Sequence, residues 1–137
     1  MARTTTRPTL DIDGARLTLT QLRDFEARRP LVRLAKPARE RMEVSLAAVQ
    51  RAVARGETTY GINTGFGAFA NRVIPADKTR RLQLNLVRSH ACGTGAPLPP
   101  RLVRGMLLRK ANTLGAGRSG AGPLVVEMLL ALLNGDV

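Results

Sequence analysis

Three residues in this sequence have the types and surroundings to carry chemistry: a tyrosine heading a glycine-rich run, a solitary histidine, and the serine before it. The run is Thr59-Tyr60-Gly61-Ile62-Asn63-Thr64-Gly65-Phe66-Gly67-Ala68-Phe69-Ala70. It holds three of the four aromatic residues of the chain, Tyr60, Phe66 and Phe69, among Gly61, Gly65 and Gly67. Glycine at this density does not belong inside a helix. It suits a loop that needs unusual backbone angles or lets another group approach the backbone closely. A phenol at the head of such a loop is a candidate general acid or base. His90, the one histidine, follows Ser89 at the end of an apolar helical stripe. An imidazole there can hydrogen-bond a ligand, although a lone histidine in that place is more often a core residue or a helix C-terminal cap. By themselves the residues favour the plainer reading of the run, a glycine-rich turn with two phenylalanines tucked into a core.

The run from Tyr60 to Gly67 resembles the tyrosine loop of the aromatic amino acid ammonia-lyases. So do Leu82-Gln83, the stretch Asn85-Leu86-Val87-Arg88-Ser89-His90-Ala91, residues Gly93 to Leu98, Ser119-Gly120 and the apolar run ending Leu132-Leu133-Asn134. The resemblance covers nearly the whole chain and is strongest to the histidine ammonia-lyases. Members of that family remove ammonia from an amino acid and leave a carbon–carbon double bond. The resemblance implies that Tyr60 is the base that takes the β-proton. A phenol ordinarily ionises only near pH ~10, so that role calls for positive charge, helix N-termini or hydrogen-bond donors nearby. Exposed backbone N–H groups of a glycine-rich loop are expected to supply part of this. His90 and Ser89 match the position that contacts the substrate side chain, in the version found in the histidine-acting members. An imidazole can hydrogen-bond a substrate imidazole, whereas an apolar pair would favour a phenyl ring. The implied substrate is L-histidine and the product urocanate.

The family's electrophile is a methylidene-imidazolone made by cyclisation of an Ala-Ser-Gly triplet. The three serines of this chain are Ser45, Ser89 and Ser119, and none lies in such a triplet; Ser119 lies in Arg-Ser-Gly. In the family the triplet comes shortly after the helix with which this sequence ends. The expectation is therefore the N-terminal portion of a histidine ammonia-lyase, residues 1–137 of a larger helical fold, inactive alone. Its expected partners are the remainder of the lyase chain and other lyase subunits in a homotetramer. Two alternatives stand beside it: a non-catalytic short protein that associates with lyase subunits, and a basic nucleic-acid-binding protein.

The elements that must position these residues are mainly helical. Residues 1–36 read as a tail (1–9), a β-hairpin turning at Asp13-Gly14 between Leu10-Ile12 and Leu17-Leu19, and a short helix carrying Leu22 and Phe25. Thr18 or Thr20 caps that helix and Pro30 stops it, with Leu31–Leu34 as an extended link. Residues 37–137 read as helices, with the tyrosine loop at 59–70. Pro37 and Gly56 bracket a helix whose Met42, Leu46, Val49 and Val53 form one apolar stripe. Pro75-Ala76-Asp77 begins another that runs to about Ala91, with Leu82, Leu86 and Val87 facing inward. Pro99-Pro100 opens a third, in which Gly105 is expected to mark a close helix crossing. Gly115-Ala116-Gly117-Arg118-Ser119-Gly120 has the bare Gly-x-Gly-x-x-Gly pattern, but the preceding spacing is helical and no strand–helix–strand unit surrounds it, so it reads as a connector. The helix after Pro123 is apolar nearly all round. A helix of that kind belongs in a large core or between subunits, so the chain is expected to be sticky or oligomeric.

Composition narrows the classes further. With 44% hydrophobic and 23% charged residues over 137 positions, the chain is a soluble domain-sized sequence. Leu124 to Leu133 is too short to span a bilayer. The first residues lack the apolar core of a secretory signal, so a cytoplasmic location is expected. One cysteine, Cys92, excludes an internal disulfide and a cysteine-based metal cluster, and no metal site is expected. The net charge of +12 raises a polyanion as partner. Yet the nineteen arginines and three lysines are dispersed, and few aromatics accompany them for base stacking. That pattern argues against nucleic acid.

Overall fold

The computed structural model describes residues 7–135. In chain order the elements are β1 (Thr9–Ile12), α1 (Leu19–Arg28), β2 (Leu31–Leu34), α2 (Lys36–Ala54), a 3₁₀ turn (Gly67–Phe69), α3 (Ala76–His90), α4 (Pro100–Gly115) and α5 (Pro123–Asn134). The chain is mainly α, as the sequence predicts. None of the described helices is long and apolar enough to cross a membrane. The backbone divides into two compact units, residues 1–47 with 98–137, and residues 48–97.

The predicted hairpin does not form. β1 pairs in parallel with β2, with Leu10 opposite Val32 and Ile12 opposite Leu34. The segment read as a mere link is thus a strand, and α1 provides the crossover that a parallel pair requires. Asp13-Gly14 does make a turn: the Asp13 carboxylate accepts from Ala15 N–H at 2.8 Å. The chain that leaves it is captured by α4 instead of folding back on β1. Asn112 accepts from Gly14 N–H at 3.0 Å and donates to the Ala15 carbonyl at 2.6 Å. Gly14 has φ +81°, and a Cβ there would lie 2.4 Å from the backbone nitrogen of Ala116. Only glycine allows the turn to lie this close to the end of α4. The predicted tail is also partly structured: the Pro8 carbonyl accepts from Leu31 N–H at 2.7 Å, and Thr9 begins β1. Residues 1–6 of that tail, and Asp136 and Val137 at the other end, lie outside the described residues.

α1 begins as the sequence predicts. Thr18 and Gln21 form a reciprocal capping box, the Thr18 hydroxyl accepting from Gln21 N–H at 3.2 Å and the Gln21 amide from Thr18 N–H at 2.8 Å. A cap of this type contributes about 1 kcal/mol.

The core of the first unit gathers Ile12, Phe25, Val32, Met42, Leu108, Ala111, Leu114, Val126, Leu130 and Leu133. Arg104 is buried in it at 5% exposure. Its guanidinium stacks 5.3 Å from the centroid of the Phe25 ring and donates to the Leu133 carbonyl at 2.9 Å, capping the end of α5. Gly105 beside it meets no atom within 4 Å of where a Cβ would sit, so the predicted close crossing is absent. On α4, Leu108, Ala111 and Leu114 are buried, while Leu102, Val103 and Met106 are exposed. On α5, Val126, Leu130 and Leu133 are buried, while Leu124, Val125, Met128 and Leu132 face outward.

The second unit is built differently. Among its described residues only Asn63, Thr64 and Gly65 are buried. Leu82 and Leu86 of α3 are half-buried, but Val87, expected inside, is 63% exposed. The arc of α3 that packs is narrow and stops short of Val87.

Candidate functional site

The tyrosine loop is held by polar residues the sequence reading passed over. The Asn63 side chain accepts from Thr59 N–H at 2.7 Å and donates to the Glu57 carbonyl at 2.9 Å, closing the loop's entrance. The Thr64 hydroxyl is fully buried; it accepts from Gly61 N–H at 3.3 Å and donates to the Gly65 carbonyl at 3.0 Å. The exit is an antiparallel bridge between Thr64 and Val73, in which Gly65 N–H donates to the Arg72 carbonyl at 3.0 Å and Ile74 N–H to that of Asn63 at 2.8 Å. Asparagine and threonine competing for local backbone groups are a recognisable turn signal, and the -Ile-Asn-Thr-Gly- string carries it.

The glycines answer two different needs. Gly61 and Gly67 have φ of +77° and +57°, where side chains are strained. Gly65 is required by space: a Cβ there would lie 2.7 Å from both Cβ and the carbonyl oxygen of Phe69.

This scaffold displays Tyr60. Its side chain is 65% exposed, its ring meets Phe66 edge-on with centroids 6.1 Å apart, and its hydroxyl has no hydrogen-bond partner among the described residues. The Arg72 guanidinium lies over the neighbouring Phe69 ring, 5.3 Å from its centroid. Part of the loop's expected supply of N–H groups is already spent. Those of Gly61, Ile62, Asn63 and Gly65 are all consumed within the loop, by Thr64, Thr59 and Arg72.

Ser89 and His90 occupy the last turn of α3, in the same unit as the loop. Both are exposed, so His90 is not the core histidine that its apolar stripe allowed. Its Nδ1 lies 2.9 Å from Ser89 Oγ and 3.0 Å from the Leu86 carbonyl oxygen, and Ser89 Oγ donates to that carbonyl at 2.9 Å. Two turns earlier on α3, Gln83 Nε2 donates to the Gly61 carbonyl at 3.4 Å, a long bond that ties the helix to the residue after Tyr60. No contact joins Tyr60 itself to Ser89 or His90 among the described residues. The unit thus holds an exposed phenol on a braced loop, and an exposed imidazole on the helix to which that loop is tied. Among the described residues no cluster of three metal-ligating side chains occurs.

Solved structures of relatives share this fold. Residues 17–137 match the family model for aromatic amino acid lyases. Histidine ammonia-lyase from Geobacillus sp. (strain WCH70) is 44% identical over 126 residues, which is 92% of this chain and 25% of that protein. The histidine ammonia-lyase of Anaeromyxobacter dehalogenans is 46% identical over 129 residues, 94% of this chain and 25% of its own length. Among solved structures, histidine ammonia-lyase from Trypanosoma cruzi superposes with a TM-score of 0.81 at 33% identity, covering 92% of this chain and 25% of that one. The ergothionase of Treponema denticola superposes with a TM-score of 0.86 at 25% identity over the same shares. The chain spans about a quarter of the length of these relatives. On the family-model match and these likenesses together, it belongs to the aromatic amino acid lyases.

Proposed function

We propose that this chain serves as the N-terminal part of a histidine ammonia-lyase, contributing the β-proton base and a substrate side-chain contact to an active site completed by the rest of the lyase and by further subunits. The observation that carries this reading is the display of Tyr60 on a loop locked by Asn63 and Thr64 and tied through Gln83 to the helix bearing Ser89 and His90. A base that must reach a carbon-bound proton needs a fixed backbone and an unencumbered hydroxyl. Tyr60 has both. In the elimination, its phenolate oxygen would take the β-proton of L-histidine. The C–H electron pair becomes the new double bond as the C–N bond breaks, giving urocanate and ammonia. His90 would hold the substrate's imidazole.

The family's methylidene-imidazolone makes the amino group a better leaving group. The serines of this chain do not fit its formation: Ser45 accepts from Gly120 N–H at 3.0 Å, Ser89 binds within α3, and Ser119 is an exposed connector residue in Arg-Ser-Gly.

Packing supports an origin in a larger assembly. The unit carrying Tyr60 has no buried apolar side chain among its described residues, and α5 leaves Leu124, Val125, Met128 and Leu132 exposed. Faces like these are covered in stable proteins. They equally favour a second reading, in which the chain associates with lyase subunits without taking part in catalysis.

The test is a chimera in which this chain replaces the corresponding quarter of a full-length histidine ammonia-lyase. Urocanate release from L-histidine by the chimera, and none by the isolated chain, is the expected result. A folded, assembled chimera that releases no urocanate would leave the non-catalytic reading in place.

A further inference from the structure

We infer that Ser89 and the Leu86 carbonyl hold the neutral imidazole of His90 in its Nδ1–H tautomer, so that Nε2 is presented as a hydrogen-bond acceptor for a ligand ring that carries an N–H. Ser89 is then a positioning residue acting through His90. The choice of ligand follows from a lone pair fixed in place, beyond the mere presence of a histidine. The link to substrate rests on the proposed lyase reading; the tautomer itself does not.

The argument starts from what each atom can do. A carbonyl oxygen only accepts, and the Leu86 oxygen lies 3.0 Å from His90 Nδ1. A bare Nδ1 would set two lone pairs against each other at that distance. A protonated Nδ1 turns the same contact into a hydrogen bond. Ser89 strengthens the preference. Its single hydroxyl proton can be given to the Leu86 carbonyl, 2.9 Å away, which leaves its oxygen lone pairs free for an Nδ1–H group at 2.9 Å. With the proton on Nδ1, all three short contacts are attractive. With the proton on Nε2, the hydroxyl must choose between Nδ1 and Leu86, and the remaining contact is lost or repulsive. In a neutral imidazole one nitrogen is donor and the other acceptor, so Nε2 keeps its lone pair, on a side chain exposed to a ligand.

The recognition that follows is specific in sign. An acceptor at Nε2 pairs with the N–H of a neutral substrate imidazole and finds nothing to pair with on a phenyl ring. A site that loses its partner in this way discriminates more strongly than a change of shape alone.

This chain has one histidine, so its imidazole nitrogens are the only ones in a ¹⁵N spectrum. We would record two-bond ¹H–¹⁵N correlations on the labelled 137-residue chain, at a pH where the ring signals no longer move. The expected pattern is a pyrrole-like Nδ1 and a pyridine-like Nε2, the reverse of the preference of free histidine. Ser89→Ala should shift the ratio toward Nε2–H by about three- to tenfold, the worth of one net hydrogen bond. Ser89→Thr, which keeps the hydroxyl, should restore it. A wild-type spectrum dominated by Nε2–H would overturn the inference, without needing any variant to fold. An unchanged ratio in Ser89→Ala would overturn the role of Ser89. If the lyase reading is wrong, the chimera gives no urocanate and the tautomer result stands. If the tautomer is wrong, the urocanate assay is unaffected.

Discussion

Asn134, the last residue of α5, pairs with the backbone of Val32 as a neighbouring strand would. Its Oδ1 accepts from Val32 N–H and its Nδ2 donates to the Val32 carbonyl, both at 2.9 Å. In the parallel pair, Leu31 turns its N–H to Pro8, just before β1, so Val32 faces the opposite edge, where no third strand lies among the described residues. One side-chain amide satisfies both groups there. Asn134→Leu keeps the bulk and removes both bonds. Val32 is almost completely buried, and each buried group left unpaired costs about 1–3 kcal/mol. The expected loss is on the order of 3 kcal/mol, read as a lower urea midpoint with an unchanged slope. A midpoint equal to that of the native chain would show that water replaces the amide at no cost.

Acid should loosen the entrance to the tyrosine loop. The Arg55 guanidinium, hydrogen-bonded to the Glu57 carboxylate at 2.6 Å and attracting its charge, holds that carboxyl below its ordinary value of 4.5. A carboxyl whose pKa is depressed by folding stabilises the fold above its ordinary pKa, and that contribution disappears as pH falls through the folded value. Both partners are exposed, so the effect is small and screened by salt. The Glu57 carbonyl also receives the Asn63 side chain, so the loss should register locally. The protection of the residue 59–63 amides, relative to their intrinsic exchange rates, should fall on going from about pH 6 to about pH 3. The change should be smaller in Glu57→Gln. Equal acid sensitivity in both proteins would exclude this ion pair as the cause.

Helix positions were legible in the sequence because their signals are local. Thr18, one of the two threonines read as a cap, and Pro37, Pro100 and Pro123 all mark real helix starts. The β pairing was not, because a parallel partner lies across an intervening helix, and Asp13-Gly14 forms the same local turn in either topology. What decides between them is Asn112, far along the chain, which draws Gly14 and Ala15 onto α4. At the candidate site, resemblance singled out Tyr60, Ser89 and His90. Their supports were missed because Asn63, Thr64 and Gln83 act through single bonds to backbone atoms, which leave no periodic trace. The exposure of Val87 shows a related limit: apolar periodicity gives the face of a helix, but the width of the packed arc depends on its neighbours.

Tyr60→Phe separates chemistry from structure. The hydroxyl has no partner among the described residues, while the ring meets Phe66, so phenylalanine keeps the packing and removes only the oxygen. In the assembled chimera, kcat for L-histidine should fall by about 10²–10⁴-fold, the usual worth of a general base. KM should change little, because the substrate contacts proposed for His90 remain. A fall in kcat of less than about tenfold would remove Tyr60 as the base.

Gly65→Ala should disturb the loop far more than alanine at an open glycine. Its Cβ would lie 2.7 Å from Cβ and the carbonyl oxygen of Phe69. That carbonyl cannot retreat freely, since it accepts from Arg72 N–H at 2.9 Å within the turn that leads to the Thr64–Val73 bridge. Overpacking of this kind costs about 1–3 kcal/mol. Gly105→Ala is the control. Nothing lies within 4 Å of its Cβ position, and inside α4 alanine should stabilise by about 0.5–1 kcal/mol. The chain has one tyrosine and no tryptophan, so its intrinsic fluorescence reports Tyr60 alone. Gly65→Ala should lower the anisotropy of that emission and speed exchange of the Gly65 and Ile74 amides, which donate across the bridge. Gly105→Ala should leave both unchanged while raising the urea midpoint. If Gly65→Ala behaved like Gly105→Ala, close packing against Phe69 would not be what fixes the loop, and the bracing of Tyr60 would rest on Asn63 and Thr64 alone.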